Sequence, residues 1–287
     1  MTNPLRSLLV PGRGTLIPGA ANALGARIAE SIGFKAVLFT GAGFANTYLG
    51  APDIGLTTMT EVAQQLAAMR DASGVAIIAD IDTGFGNTLN VVRTVRLFEH
   101  SGADALQLED QTFPKRCGHF DGKDVVPASE MIQKIKAAVD ARKRDTLILA
   151  RTDAYATEGL NGALDRARLY LEAGADMLFV EAPVTNAELA RIPEDVPAVH
   201  VCNMVYGGKT PLLPREELAR MGYAGVIYAN AALQASMLAM ETVLRHLHDV
   251  GHLGGAEHML TSFASRQAHV DFDAWMQLQK RYEQESK

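Results

Sequence analysis

Five consecutive residues, Lys115-Arg116-Cys117-Gly118-His119, set a thiol among two permanent cations and an imidazole. No apolar periodicity runs through them. They lie in the polar stretch 111–124, which holds glycines at 118 and 122 and is too long for a tight turn. Such a stretch reads as a mobile flap. Neighbouring cations favour a thiolate, so Cys117 is a candidate nucleophile, or an acid delivered when the flap closes. The plainer alternative is an incidental surface thiol. His119 and Arg151 join Cys117 as candidates for catalysis.

A second group of polar residues appears where short apolar runs end: Thr40-Gly41-Ala42, Asp80, Asp82, Glu109, Asp110, Arg151, Glu181, Asn203 and Asn230. A carboxylate at the end of a buried run is costly without a partner. Asp80 and Asp82 are two apart, so on a strand both side chains point to one side. Two aspartates so placed repel unless a cation lies between them. With Glu109 they offer an all-oxygen donor set, which suits Mg²⁺, or Mn²⁺ in its place, rather than Zn²⁺. The alternative is that they cap the next helix or pair with a lysine. Arg151 is a natural carboxylate fork, or else a structural partner of Glu181. Thr40-Gly41-Ala42-Gly43 could present backbone N–H groups to a carboxylate or phosphate oxygen.

The runs themselves define the scaffold. Residues 16–19, 35–41, 75–82, 105–110, 146–152, 177–182, 198–203 and 225–230 are mostly continuous apolar segments, the pattern of parallel strands buried on both faces. Helical patterns fill the gaps at 22–33, 61–72, 129–143 and 162–174. Several helices stop at a glycine that leads straight into a strand: Gly33, Gly102, Gly174 and Gly222. The segments SGADALQLED and AGADMLFVEA share one plan, a glycine seven positions before a glutamate. Eight repeated strand–helix units close naturally into a (β/α)8 TIM barrel. A doubly wound open sheet is the runner-up, but no GxGxxG follows the first strand. Residues 1–287 are expected to form one barrel domain, with 231–287 as a helical C-terminal extension. Its amphipathic end, FDAWMQLQKRYEQ, exceeds what a barrel needs and would pack on a partner subunit.

Composition excludes other classes. The chain has 287 residues, 48% of them hydrophobic, a formal charge of −6 and no basic block, which argues against nucleic acid as a partner. No apolar run approaches the roughly 20 residues that span a bilayer. Leu8 to Val10 is too short for a signal-peptide core. Two cysteines, Cys117 and Cys202, make no disulfide framework. A cytoplasmic protein with reduced thiols, acting on a small molecule, is expected.

The run EDQTFPKRCGH resembles the signature loop of the isocitrate lyase/phosphoenolpyruvate mutase superfamily, in its lyase branch, whose signature K-[KR]-C-G-H is matched in full. PGAANALGARIAE, LGAPDIGLTT, ADIDTGFGN, ILARTDA, GADMLFVEAP, NMVYGGKTPLL and YANAAL extend the likeness to about Ser236. The resemblance implies a barrel whose last helix swaps onto a neighbouring subunit, in a homotetramer built as a dimer of dimers. It implies Mg²⁺ held by Asp80 and Asp82, with Glu109 acting partly through water and Asp53 organising the metal waters. Thr40, Gly41 and Ala42 would bind the substrate carboxylate, Arg151, Glu181 and Asn203 would position the remainder, and Cys117 would be the general acid. The implied reaction splits the C2–C3 bond of a 2-hydroxy di- or tricarboxylate into an α-keto acid and a carboxylate.

Four positions depart from the family's methylisocitrate lyases. Leu38 stands where they carry a tyrosine, their proposed base. Gln234 replaces a carboxylate-binding arginine, Tyr206 replaces a glutamate, and Tyr228-Ala229-Asn230 replaces Tyr-Pro. Losing an arginine favours a substituted malate over a tricarboxylate. Asn230 leans toward the family's phosphonate-processing branch, and oxaloacetate hydrolysis is a further alternative. A silent carboxylate-binding barrel is the last, opposed by the retention of Asp80, Asp82, Glu109, Arg151 and Cys117 together.

Overall fold

The computed structural model describes residues 2–116, 118 and 122–285. Cys117 and His119 lie outside the described residues. Among these, eight parallel strands close a barrel in simple order: β1 (Thr15–Ala20), β2 (Ala36–Phe39), β3 (Ala76–Asp80), β4 (Ala105–Glu109), β5 (Leu147–Thr152), β6 (Met177–Val180), β7 (His200–Asn203) and β8 (Gly225–Tyr228). All eight apolar runs are strands. The seam is the pairing of β1 with β8, Thr15 opposite Gly225 through Pro18 opposite Tyr228. There the backbones approach closely. A Cβ on Gly19 would meet the Ala229 carbonyl carbon at 2.5 Å, so only glycine fits.

Strand alternation divides the core in two. Ile17, Leu38, Ile78, Leu149, Phe179, Val201 and Ile227 fill the lumen. Val37, Phe39, Ile77, Leu106, Leu108, Ile148, Leu178 and Val180 face the helices outside. Both faces are buried, which is why the runs read as continuous rather than alternating. The repeat GAD units are helix stops. Gly102 and Gly174 adopt φ of 96° and 104°, a conformation open to glycine, and the strand begins three residues later.

The C-terminal extension is helical, as expected, over Ala231–Val250, Phe263–His269 and Phe272–Glu285. The first of these buries none of its residues. Leu238, Leu244, Phe263 and Trp275 are each at least 60% exposed. Arg27 holds the tail to the barrel through the His269 carbonyl (2.7 Å) and an ion pair with Asp271. Among the described residues no helix is long and apolar enough to cross a membrane.

Candidate active site

The lumen residues named above are the floor of the site. Two positions further along each strand the same face reaches the C-terminal rim. Leu38 is followed by Thr40, Ile78 by Asp80, Gln107 by Glu109, Leu149 by Arg151, Phe179 by Glu181, Val201 by Asn203 and Ile227 by Ala229. Leu38, Thr40, Ala42, Asp53, Asp80, Glu109, Arg151, Glu181, Asn203 and Asn230 line one cavity there. Gly41 stands at its edge: a Cβ on it would lie 3.1 Å from Asp80 Oδ2 and 3.3 Å from Asp82 Oδ1.

Two expectations about this rim need correction. β3 ends at Asp80, and Asp82 lies on the following turn with φ of 49°. The two aspartates therefore converge through a turn rather than by strand alternation. Asp110, expected at the rim, is not there: the same alternation that turns Glu109 inward turns Asp110 outward. Its Oδ2 accepts from the hydroxyls of Thr152 and Tyr170, each at 2.7 Å, and it pairs with Arg166 at 3.3 Å.

The glycine-rich turn after β2 is a short helix, Gly41–Phe44, capped by Thr40, whose hydroxyl accepts from the Gly43 N–H at 3.2 Å. The Gly41 N–H points at Asp80 Oδ2, 3.3 Å away. One of the N–H groups expected to meet substrate is thus aimed at a carboxylate of the chain itself.

Arg151 faces three acids and lies over the Phe179 ring. Its Nε donates to Asp153 Oδ2 at 2.8 Å and its Nη2 to Asp153 Oδ1 at 3.1 Å, with Glu109 and Glu181 each 3.4 Å away. The structural pairing with Glu181 and the rim position coexist. Asn203 Oδ1 accepts from the Ala229 N–H at 3.4 Å.

Lys115, which the sequence marked only as a neighbour of Cys117, is part of the site. The loop is anchored at its base by a bridge between Gln111 and Val125, and Gln111 pairs with the Arg116 backbone on both its amide groups (2.8 and 2.9 Å). This brings the buried Lys115 ammonium to 2.5 Å from Asp53 Oδ1 and 2.8 Å from Asp82 Oδ1. Pairing with a lysine is therefore what the structure gives Asp82. Gly118 backs onto Arg151 and Glu181. With the loop seated this way the cavity is about 40 Å³, room for roughly three waters.

Burial pushes the Asp82 carboxyl up to about 6, against the pull of Lys115 and with Asp80 and Asp53 adding to it. Burial likewise raises Glu109 well above its ordinary range, opposed by Arg151. Lys115 is desolvated too, but Asp82, Glu109, Asp53 and Asp80 overcome this and hold its proton more tightly than usual. Cys202 is the contrasting thiol: packed in an apolar cluster, its pKa raised by burial, it stays a neutral core residue.

A metal ion fits the donor types. Asp53, Asp80, Asp82 and Glu109 supply only carboxylate oxygens, and Glu109 Oε1 is buried without a hydrogen-bond partner. Among the described residues no three such side chains already stand at ligating spacing, and the Lys115 ammonium stands between Asp53 and Asp82.

Sequence reasoning missed Lys115 as a site residue and missed Asp153 altogether. Asp153 is held at about 2, since Arg151 and Lys123 outweigh the cost of its burial. Its folded pKa lies below the ordinary carboxylate value, so its contribution is complete near neutrality and is lost as pH falls toward 2. Asp153→Asn is expected to cost about 3–5 kcal/mol at pH 7, the range for breaking a buried pair. The gap to wild type should narrow as pH is lowered. Urea midpoints of both proteins measured down to acid pH check this, and a gap independent of pH would contradict it.

Residues 5–248 match the family model described as phosphoenolpyruvate phosphomutase. The chain is 44% identical over 261 residues to 2,3-dimethylmalate lyase of Eubacterium barkeri, covering 91% of this chain and 90% of that protein. Among solved structures it is similar to oxaloacetate acetylhydrolase in complex with 3,3-difluorooxalacetate (TM-score 0.91, 31% identity, 97% and 95% of the two chains). It is also similar to phosphonopyruvate hydrolase in complex with oxalate and Mg²⁺ (TM-score 0.88, 30% identity, 98% and 99%).

Proposed function

The chain belongs to the phosphoenolpyruvate mutase/isocitrate lyase superfamily, and from that premise we propose that it is a Mg²⁺-dependent lyase cleaving the C2–C3 bond of a substituted malate. The observation that carries this reading is the rim itself: Asp80, Glu109 and Arg151 line one cavity with Lys115 of the 111–124 loop, over Leu38, Phe179 and Ile227, with Asp82 beside Asp80 at the Gly41 edge. The polar wall suits two carboxylates and a hydroxyl. The apolar floor suits an alkyl substituent.

In this mechanism Asp80, Asp82, Glu109 and Asp53 hold the metal, which when bound supplies electrostatic stabilisation of negative charge on the substrate oxygens. Thr40, Gly41 and Ala42 orient one carboxylate. Arg151 holds the other, kept in direction by Asp153, while Glu181 and Asn203 set the remainder. The proton of the substrate's 2-hydroxyl leaves to one of the rim carboxylates, and the C2–C3 bond breaks with its electron pair staying on the departing carbon, so that an α-keto acid and a carbanionic carboxylate fragment result. Cys117 delivers a proton to that carbon, with His119 beside it in the chain. Closure of the 111–124 loop excludes water while the carbanion exists. The exposed apolar residues of the C-terminal helices favour an oligomer whose tails cover one another, and the family resemblance makes a homotetramer the proposed state.

An NMR product screen tests the reaction. Substituted malates, isocitrates, oxaloacetate and phosphonopyruvate are incubated with enzyme and Mg²⁺. An α-keto acid from a 2-hydroxy acid is expected, and turnover of phosphonopyruvate or oxaloacetate alone would overturn the reading. A second reading, phosphonate chemistry, is favoured by the Ala229-Asn230 pair, which resembles the phosphonate-processing branch and lines the cavity.

Metal binding has its own readout. At a Mg²⁺ concentration 100 times its Kd, stability should rise by about 2.7 kcal/mol, visible as a higher Tm. Asp82→Asn should abolish the shift. An equal shift in that variant would remove Asp82 from the metal site.

A further inference from the structure

Behind Arg151 stands a carboxylate that serves two elements at once. Asp153 follows β5 and is fully buried. It forks onto Arg151 as described, and its Oδ1 also accepts from Lys123 Nζ at 2.7 Å. Lys123 comes from the far limb of the 111–124 loop, is itself buried, and donates to the Gly118 carbonyl as well. Asp153 is braced from behind. Its N–H donates to Asp110 Oδ1 at 2.9 Å, and Asp110 is fixed in turn by Thr152, Tyr170 and Arg166. A lysine is buried at such cost only where its ammonium is matched. Here the match is a carboxylate that already holds the arginine of the site.

We propose that Asp153 and Lys123 are positioning residues: Asp153 sets the direction of the Arg151 guanidinium, and Lys123, joining Asp153 to the Gly118 carbonyl, makes the seating of the loop depend on that same carboxylate. The aim of the arginine and the closure of the loop then share one anchor, and substrate held by Arg151 meets a loop already in register with it. Lys123→Met keeps the stem and removes only the charge and donors. The Arg151–Asp153 fork remains in that variant, so the fold is retained.

The test uses the full chain with Mg²⁺. In hydrogen exchange followed by mass spectrometry, peptides covering 111–124 of Lys123→Met should exchange about tenfold faster, while those of β4 to β6 keep their wild-type rates. Lys123→Arg should restore most of the protection. Unchanged loop exchange overturns the proposal. Exchange raised equally through the barrel also overturns it, since that is a merely structural role. The kinetic arm rests on the lyase reading: with 2,3-dimethylmalate, kcat of Lys123→Met should fall about tenfold or more with KM nearly unchanged, because the fork on Arg151 survives. A rise in KM at constant kcat goes against it. If wild type turns over no 2-hydroxy acid, the lyase reading fails while the exchange result still decides the positioning role.

Discussion

Replacing Cys117 by serine is expected to lower turnover of a 2-hydroxy acid by roughly 10²–10⁴-fold, the usual range for a proton donor in the transition state. The reasoning is local. Its chain neighbours Arg116 and Gly118 both line the cavity, and Lys115 one residue further back reaches the acids. A thiol is a far stronger acid than the serine hydroxyl of similar size that would replace it. Metal-induced stabilisation should be the same in both proteins, because serine changes no metal donor. Steady-state kcat and the Mg²⁺-dependent Tm rise, measured side by side, separate the two effects. A serine variant within about threefold of wild type would place the proton donor elsewhere.

Gly118→Ala is the second large effect. The added methyl would stand 2.6 Å from Glu181 Cγ and closer still to Arg151 Nη2. Neither neighbour can yield cheaply, since Arg151 is forked onto Asp153 and Glu181 is buried beside it. The loop cannot then seat, and kcat/KM should fall by about 10²-fold, the scale of an ångström-sized misplacement. The melting temperature should hardly move, since an unseated loop leaves the barrel core untouched. A fully active Gly118→Ala enzyme would mean that the seated loop is not the working state.

Most of the scaffold was legible in the sequence for a simple reason. A strand buried on both faces shows an unbroken apolar run, and a helix that stops at a left-handed glycine marks where the next run begins. The rim was legible by the same logic. A charged residue at the end of such a run, as at Glu109 or Arg151, has to face something polar. Local pattern fails where direction or distance decides. Asp110 has the same type and setting as Glu109, and only the parity of the strand sends it to Thr152 and Tyr170 instead. Asp82 escapes that parity because its residue turns the chain with φ of 49°. Lys115 and Lys123 belong to a loop with no periodicity, so their partners Asp53, Asp82 and Asp153 are visible only in three dimensions.

The Lys115 ammonium has a bearing on how such an enzyme is made. A cluster of buried acids would ordinarily oppose the last stage of folding until a divalent ion arrived. Here the chain brings its own monovalent counter-ion, delivered from the loop after β4. The newly synthesised protein can therefore close around these acids with a cation of its own chain, so that folding does not wait on an ion from solution.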